Sequence, residues 1–268
     1  MDNPTQNHVD RPVTVTRVGA VGIIELSRPE KFNAMTWAAF RGLRSAIDAF
    51  DRDESPVRVI LLRARGRHFC TGGDLAEAKS MMNDAGVLTE FLTFVNSTLL
   101  RLEQSPLPTV AACQGLTLAG GLEMMLCCDI AFAADDARFG DQHVQYGLVP
   151  AWGGTQRIPR AVGLRRGLDL MYSGRWIDSA TALDWGLVNE VVGADALDRH
   201  ALEYCTTLAA RSRPGVRAMK SLARMSADIP LEQGLDAERN LVVQAMQGDD
   251  PAEGIAAFEA RRPPRFVD

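Results

Sequence analysis

Residues 107–134, LPTVAACQGLTLAGGLEMMLCCDIAFAA, decide the reading of this chain. Thr109 to Cys113 is a short buried-strand run that follows Pro106 and Pro108. Gly120-Gly121 then opens a short apolar helix running to Cys128, and Ile130 to Ala133 returns to strand. Single short strands alternating with helices predict α/β crossovers. The stretch is the most apolar in the chain, yet Gln114, Glu123, Asp129 and the glycine pair interrupt it. No run of about 18 apolar residues is left for a membrane span.

On the N-terminal side, Val13 to Val18 and Val21 to Leu26 are β-rich runs joined through Gly19 and Ala20, which predicts a hairpin. Thr36 is placed to cap a helix whose apolar positions Trp37, Phe40, Leu43, Ile47 and Phe50 recur at helical spacing. Val57 to Leu62 is a second strand-length apolar run, a loop over Arg65 to Asp74 follows, and a helical stretch extends to Glu103. Beyond Gly163 helical periodicity dominates, and only Leu187 to Val192 looks extended. Helices are predicted over Asp195 to Ser212, Pro214 to Ser226, Pro230 to Gln247 and Pro251 to Arg261. The chain therefore divides into a loose leader (1–12), an α/β core (13–200) and a helical region (201–268). Apolar helical stripes with little sheet to cover point to packing against another subunit.

With 268 residues, 46% of them hydrophobic and 24% charged, the chain is long enough to bury a core and is not disordered. Twenty-nine Lys and Arg against 34 Asp and Glu give a net charge of −5 with both signs scattered, which argues against nucleic acid as a partner. The polar opening MDNPTQNHVDRP, with no apolar stretch, reads as a loose leader and not as a secretion signal. Five cysteines form no CxxC pair, so a cytoplasmic setting is expected, without a membrane partner. The four histidines, at 8, 68, 143 and 200, share no ligand spacing, so no metal site is expected. GxGxxG, GxxxxGK[ST], GxSxG and HExxH motifs are all missing.

Two glycine-rich turns remain, each after a buried strand: His68 to Leu75 (HFCTGGDL) and Ala119 to Glu123 (AGGLE). Glycine brings bare backbone N–H groups close to a ligand, which suits a polarised oxygen, although a Gly pair by itself also marks a plain tight turn. Glu123 lies within the apolar run Leu116 to Cys128 without a basic neighbour in sequence. A desolvated carboxylate is costly and is usually paired or functional, while an acid in the first helical turn also suits the helix dipole.

Six segments in order resemble the crotonase superfamily, the enoyl-CoA hydratase/isomerase family, from about Val13 to Phe266. Leu26-Ser27-Arg28-Pro29 with Asn33-Ala34-Met35 resembles its LxRPxxxNAL segment, and residues 69–75 (FCTGGDL) its FxxGxDL turn. Residues 119–123 resemble its GGGxE helix start, and 153–160 (GGTQRIPR) with Gly163 its GGTQRLPRxVG stretch. Residues 254–258 (GIAAF) and 261–266 (RRPPRF) resemble its C-terminal EGxxAFxEKRxPxF. The resemblance implies a crotonase-like spiral of ββα units with a C-terminal helical oligomerisation region, assembled as a trimer or a hexamer. It implies an acyl-CoA enzyme of fatty-acid and lipid metabolism, most directly a hydratase acting on a 2-enoyl-CoA. Isomerisation, thioester or C–C hydrolysis, decarboxylation, and acyl-CoA binding without turnover are its rivals.

By motif, the amides of Gly73 and Gly120 would form an oxyanion hole for the thioester carbonyl, with Glu123 handling water or a proton. Lys31, Phe32 and Ala34, with the turn Gly72, Gly73, Asp74 and Leu75, would hold the CoA moiety. Arg261 falls where the family carries a lysine reaching CoA phosphates across a subunit boundary. No further cofactor is implied, because coenzyme A arrives as part of the substrate. One departure stands out. The family's hydratases carry a second glutamate shortly after an FGxPE segment, and here that segment reads FGDQHVQYGLVP (139–150), which places His143 where the second glutamate would be. His143 is read as a second acid or base, as a pocket-shaping residue, or as a polar residue closing a helical turn, with Asp141 as an alternative group in the last case.

Overall fold

The computed structural model describes residues 11–266, so the expected leader lies outside the described residues except for Arg11 and Pro12. Pro12 already takes part in the sheet, its carbonyl accepting from the Ser27 amide at 2.9 Å. The hairpin forms as expected, with β1 (Val13–Val18) antiparallel to β2 (Val21–Leu26). Thr36 caps α1 (Trp37–Phe50) by accepting from the Ala39 amide, and Phe40, Leu43 and Ile47 turn inward.

The next strand, β3 (Val59–Ala64), starts two residues later than expected and runs through Arg63. Arg63 is kept at the sheet by an ion pair with Glu25 of the neighbouring strand at 2.9 Å. The expected helical stretch is two helices, α2 (Leu75–Met81) and α3 (Ala85–Glu103). Asp84 separates them and caps the second through the Gly86 and Val87 amides.

β4 (Thr109–Cys113) and β6 (Ile130–Ala134) flank two short elements, β5 (Leu116–Leu118) and α4 (Gly120–Met125). The helix at Gly120 thus ends at Met125, short of Cys128. After β6 come β7 (Arg138–Gly140), α5 (Gly154–Val162), α6 (Leu164–Ser173), β8 (Ile177–Asp178), α7 (Ser179–Asp184) and β9 (Glu190–Val192). The larger sheet has the order β1-β2-β3-β4-β6-β9 and is parallel from β2 onward. Continuous apolar strands under helices are what such a sheet requires.

A second sheet, β5-β7-β8, did not announce itself in the sequence. Its strands are two or three residues long, too short for an alternating pattern to show. It carries the site.

The helical region consists of α8 (Leu197–Ala209), α9 (Arg213–Met225), α10 (Leu231–Ala245) and α11 (Asp249–Glu259). The division expected at 200 falls inside α8. Leu197, Ala201, Cys205 and Ala209 recur every four residues, are buried, and belong to the core cluster, so this helix covers the sheet. The last three helices differ: α9 and α10 bury no residue and α11 buries only Ala257. Met219, Leu231 and Phe258 are 71%, 79% and 85% exposed, although α9 is tied to the core through Lys220 and Arg224, which pair with Asp129.

Candidate active site

Four segments lie side by side. β5 pairs in parallel with β7, and the Ala119 amide extends that ladder to the Gly140 carbonyl at 2.9 Å. On its other side, the Cys70 amide donates to Leu116 and the Leu118 amide donates to Cys70. The first glycine turn continues the ladder, since the Met35 amide donates to Gly72 and the Asp74 amide to Met35. The two sequence-predicted turns therefore meet, together with the segment that precedes them and the strand that leads to His143.

At the meeting point the chain leaves ordinary conformations. Ala119 has φ 49°, and Gly72 has φ 103°. A β-carbon on Gly72 would stand 3.1 Å from the Gly120 nitrogen, so only glycine lets the turns approach this closely. Among the described residues, neither the Gly73 nor the Gly120 amide donates to a protein acceptor. Two unused donors beside each other suit an oxygen that gathers negative charge.

Glu123, one turn into α4, is the only acid of that helix and is 1% exposed. Its Oε1 accepts from the Trp152 amide at 2.8 Å, in the loop entering α5, and from the Gly154 amide at 2.7 Å, the first of that helix. Its Oε2 faces His143 Nε2 at 3.7 Å, beyond hydrogen-bond reach. Burial pushes the carboxyl above its ordinary value, against the two amide bonds and the histidine, which lower it. The group is a desolvated carboxyl with one oxygen clamped and the other turned toward His143.

His143 opens a short 3-10 turn directly after β7. Its Nδ1 lies 2.9 Å from Asp141 Oδ1, which also accepts the His143 backbone amide at 3.1 Å. With the Asp141 oxygen as acceptor, Nδ1 is the donor and Nε2 is left facing Glu123. Burial disfavours the imidazolium, but the bond to Asp141, that residue's charge and the charge of Glu123 outweigh it, and the net shift is upward. Asp141 is itself buried, and its Oδ2 has no partner among the described residues. Sequence reasoning named Asp141 only as an alternative to His143, whereas the structure joins the two. Of the holders of Glu123, Gly154 was read only as part of the 153–160 stretch and Trp152 was not singled out; a tryptophan beside a glycine pair was the available signal.

Of the residues expected to hold CoA, Gly72 to Leu75 and Lys31 to Ala34 form one continuous rim. The Thr71 amide donates to Phe32, and Arg28 bridges Ala34 O at 2.6 Å and Asp74 Oδ2 at 3.0 Å. Asp74 is thereby occupied as a structural residue, since it also caps α2 through the Ala76 and Glu77 amides. Lys31, Phe32 and Leu75 are exposed. Arg261 sits just past α11 with φ 51°, exposed and bonded to none of these residues. Its neighbour Arg262 pairs with Glu253 at 2.6 Å. Among the described residues no cluster of three His, Cys, Asp or Glu side chains is arranged to hold a metal ion, and no helix is long and apolar enough to cross a membrane.

Residues 16–268 match the family description "Enoyl-CoA hydratase/isomerase". A probable enoyl-CoA hydratase of Rhizobium meliloti is 35% identical over 248 residues, 92% of this chain and 95% of the relative. The human mitochondrial methylglutaconyl-CoA hydratase is 32% identical over 250 residues, covering 91% and 73%. Among solved structures, an enoyl-CoA hydratase of Bacillus anthracis superposes with a TM-score of 0.91 at 30% identity, over 95% of this chain and 98% of that one.

Proposed function

Because the chain belongs to the enoyl-CoA hydratase/isomerase family, we propose that it adds water to a 2-enoyl-CoA with Glu123 as base and His143 as acid. The observation that carries this reading is the pairing of a clamped, buried carboxylate with an imidazole held by Asp141, beside two unused amides. The thioester oxygen sits at the Gly73 and Gly120 amides. Glu123 Oε2 takes a proton from water as the water oxygen bonds to the β-carbon, and the double-bond electrons move onto the thioester oxygen. When the enolate collapses, protonated His143 Nε2 delivers a proton to the α-carbon. Glu123 then holds one proton too many and His143 one too few, and transfer between them resets the site.

The thioester itself acidifies the α-carbon, so no metal or redox group enters the reaction. The rim of residues 31–34 and 72–75 takes the CoA moiety, and a cytoplasmic setting is part of the same reading. The test is loss of the enoyl-thioester absorbance when a panel of 2-enoyl-CoAs is mixed with the protein. Binding without turnover would reduce the reading to an acyl-CoA binder.

The second catalytic group makes a pH prediction. Glu123 must be deprotonated, so activity rises with pH through its elevated value. His143 must be protonated, so activity falls as pH rises through its own, which lies above the ordinary value of about 6.5. His143→Ala is expected to lower kcat by at least about tenfold and remove the alkaline limb, with affinity for a saturated acyl-CoA nearly unchanged. Asp141→Asn, which keeps the shape and drops the charge, is expected to move that limb to lower pH. A limb that stays in place in both variants assigns it to another group.

The bare apolar side chains of α9 to α11 are proposed to pack between subunits of a trimer or hexamer, with Arg261 reaching a neighbour's CoA phosphates. Sedimentation is expected far above the 29.2 kDa of one chain. A clean monomer at micromolar concentration overturns this assembly.

A further inference from the structure

Trp152 is fixed at both ends of its backbone: its amide donates to Glu123 Oε1 at 2.8 Å, and its carbonyl accepts from Arg157 Nη1 at 2.9 Å. Its side chain runs across the two donor turns. The indole lies against both, for a β-carbon on Gly73 would stand 3.4 Å from it and one on Gly120 would collide with it. The far side of the ring meets Phe40 of α1 edge-on, with centroids 4.9 Å apart at 88°, and Phe40 in turn meets Phe91 of α3. Asn96 of α3 closes the same seam by donating to the Ala151 carbonyl at 3.1 Å. Trp152 is only 6% exposed.

We propose that the Trp152 indole walls the acyl pocket and restricts this site to short acyl groups of crotonyl size. The inference rests on the acyl-thioester reading above. An acyl group with its oxygen at the Gly73 and Gly120 amides and its β-carbon at Glu123 Oε2 has the indole along its flank. The ground between the donor turns and α1 and α3, which a longer hydrocarbon would use, is filled by that ring. In an open apolar pocket each added CH₂ tightens binding by about fourfold; here the added groups meet a wedged aromatic wall instead.

The experiment pairs turnover with binding. Wild type, Trp152→Ala and Trp152→Leu are assayed for kcat/KM with crotonyl-CoA and 2-decenoyl-CoA, and by calorimetry with the saturated butyryl-CoA and decanoyl-CoA. Wild type is expected to prefer the short ester by at least about tenfold in both measurements, and the variants to move the long-to-short ratio upward by at least about tenfold. The ratio is the readout because losing the indole also loosens the segment whose backbone amide, kept in both variants, clamps Glu123, which lowers absolute rates for a separate reason. Should the alanine variant misfold, the leucine variant and the wild-type profile still decide. Wild type that accepts both lengths equally, or folded variants with an unchanged ratio, overturns the wall and leaves Trp152 as packing. Short-chain preference in binding without any hydration upholds the wall and overturns the hydratase reading.

Discussion

Glu123→Gln is expected to lower kcat for enoyl-CoA hydration by two or more decades while leaving the fold intact. The amide oxygen of glutamine can still accept from the Trp152 and Gly154 amides, so the clamp at 2.8 and 2.7 Å survives. What disappears is the atom that takes the proton, since the amide nitrogen facing His143 has no basic lone pair. Two decades correspond to about 2.7 kcal/mol of transition-state stabilisation. Because the variant no longer buries a charge, its thermal midpoint should be equal to or above that of wild type. Affinity for butyryl-CoA should be nearly unchanged. A variant that keeps more than a tenth of the wild-type rate removes Glu123 from the chemistry.

The second large effect belongs to the donors. Gly73→Pro deletes an amide that no described protein group uses, while Met35 keeps its bonds to Gly72 and Asp74 on either side. Loss of one such donor typically costs about 10²–10³ in rate. Gly120→Pro removes the partner donor at a helical position where proline is otherwise well tolerated, but its β-carbon would strike Trp152. Gly73 is therefore the cleaner site, and near-normal turnover of a folded Gly73→Pro protein would sink the oxyanion assignment.

Local signals carried much of the fold. The Thr109–Cys113 strand, the Thr36 cap and the first hairpin follow from residue pattern alone and stand where that pattern puts them. The end of β3 was hidden because Arg63 breaks an apolar run, and its partner Glu25 is close only after folding. The β5-β7-β8 sheet was hidden because its order comes from pairing between distant short segments, not from any periodicity within them. The same difference separates the site residues. Glu123 and the glycine turns could be read from their apolar and glycine-rich surroundings. The Asp141 and His143 contact required knowing that a 3-10 turn folds the ring back, and the place of Trp152 required the position of two turns far away in sequence.

The short ladder of β5 and β7 has an evolutionary consequence. It fixes the chain up to Ala119 and Gly140 through main-chain bonds, and none of those bonds depends on the side chain at position 143. New chemistry can therefore arise at 143 by a single codon change without a detour through an unfolded ancestor. Position 141 would not stay neutral in that history. A carboxylate there steadies an imidazole at 143 but would repel a glutamate in its place, with Glu123 already nearby. Lineages of this fold should thus have drifted with the two positions in step, an acid at 141 arriving with histidine at 143 and departing with it.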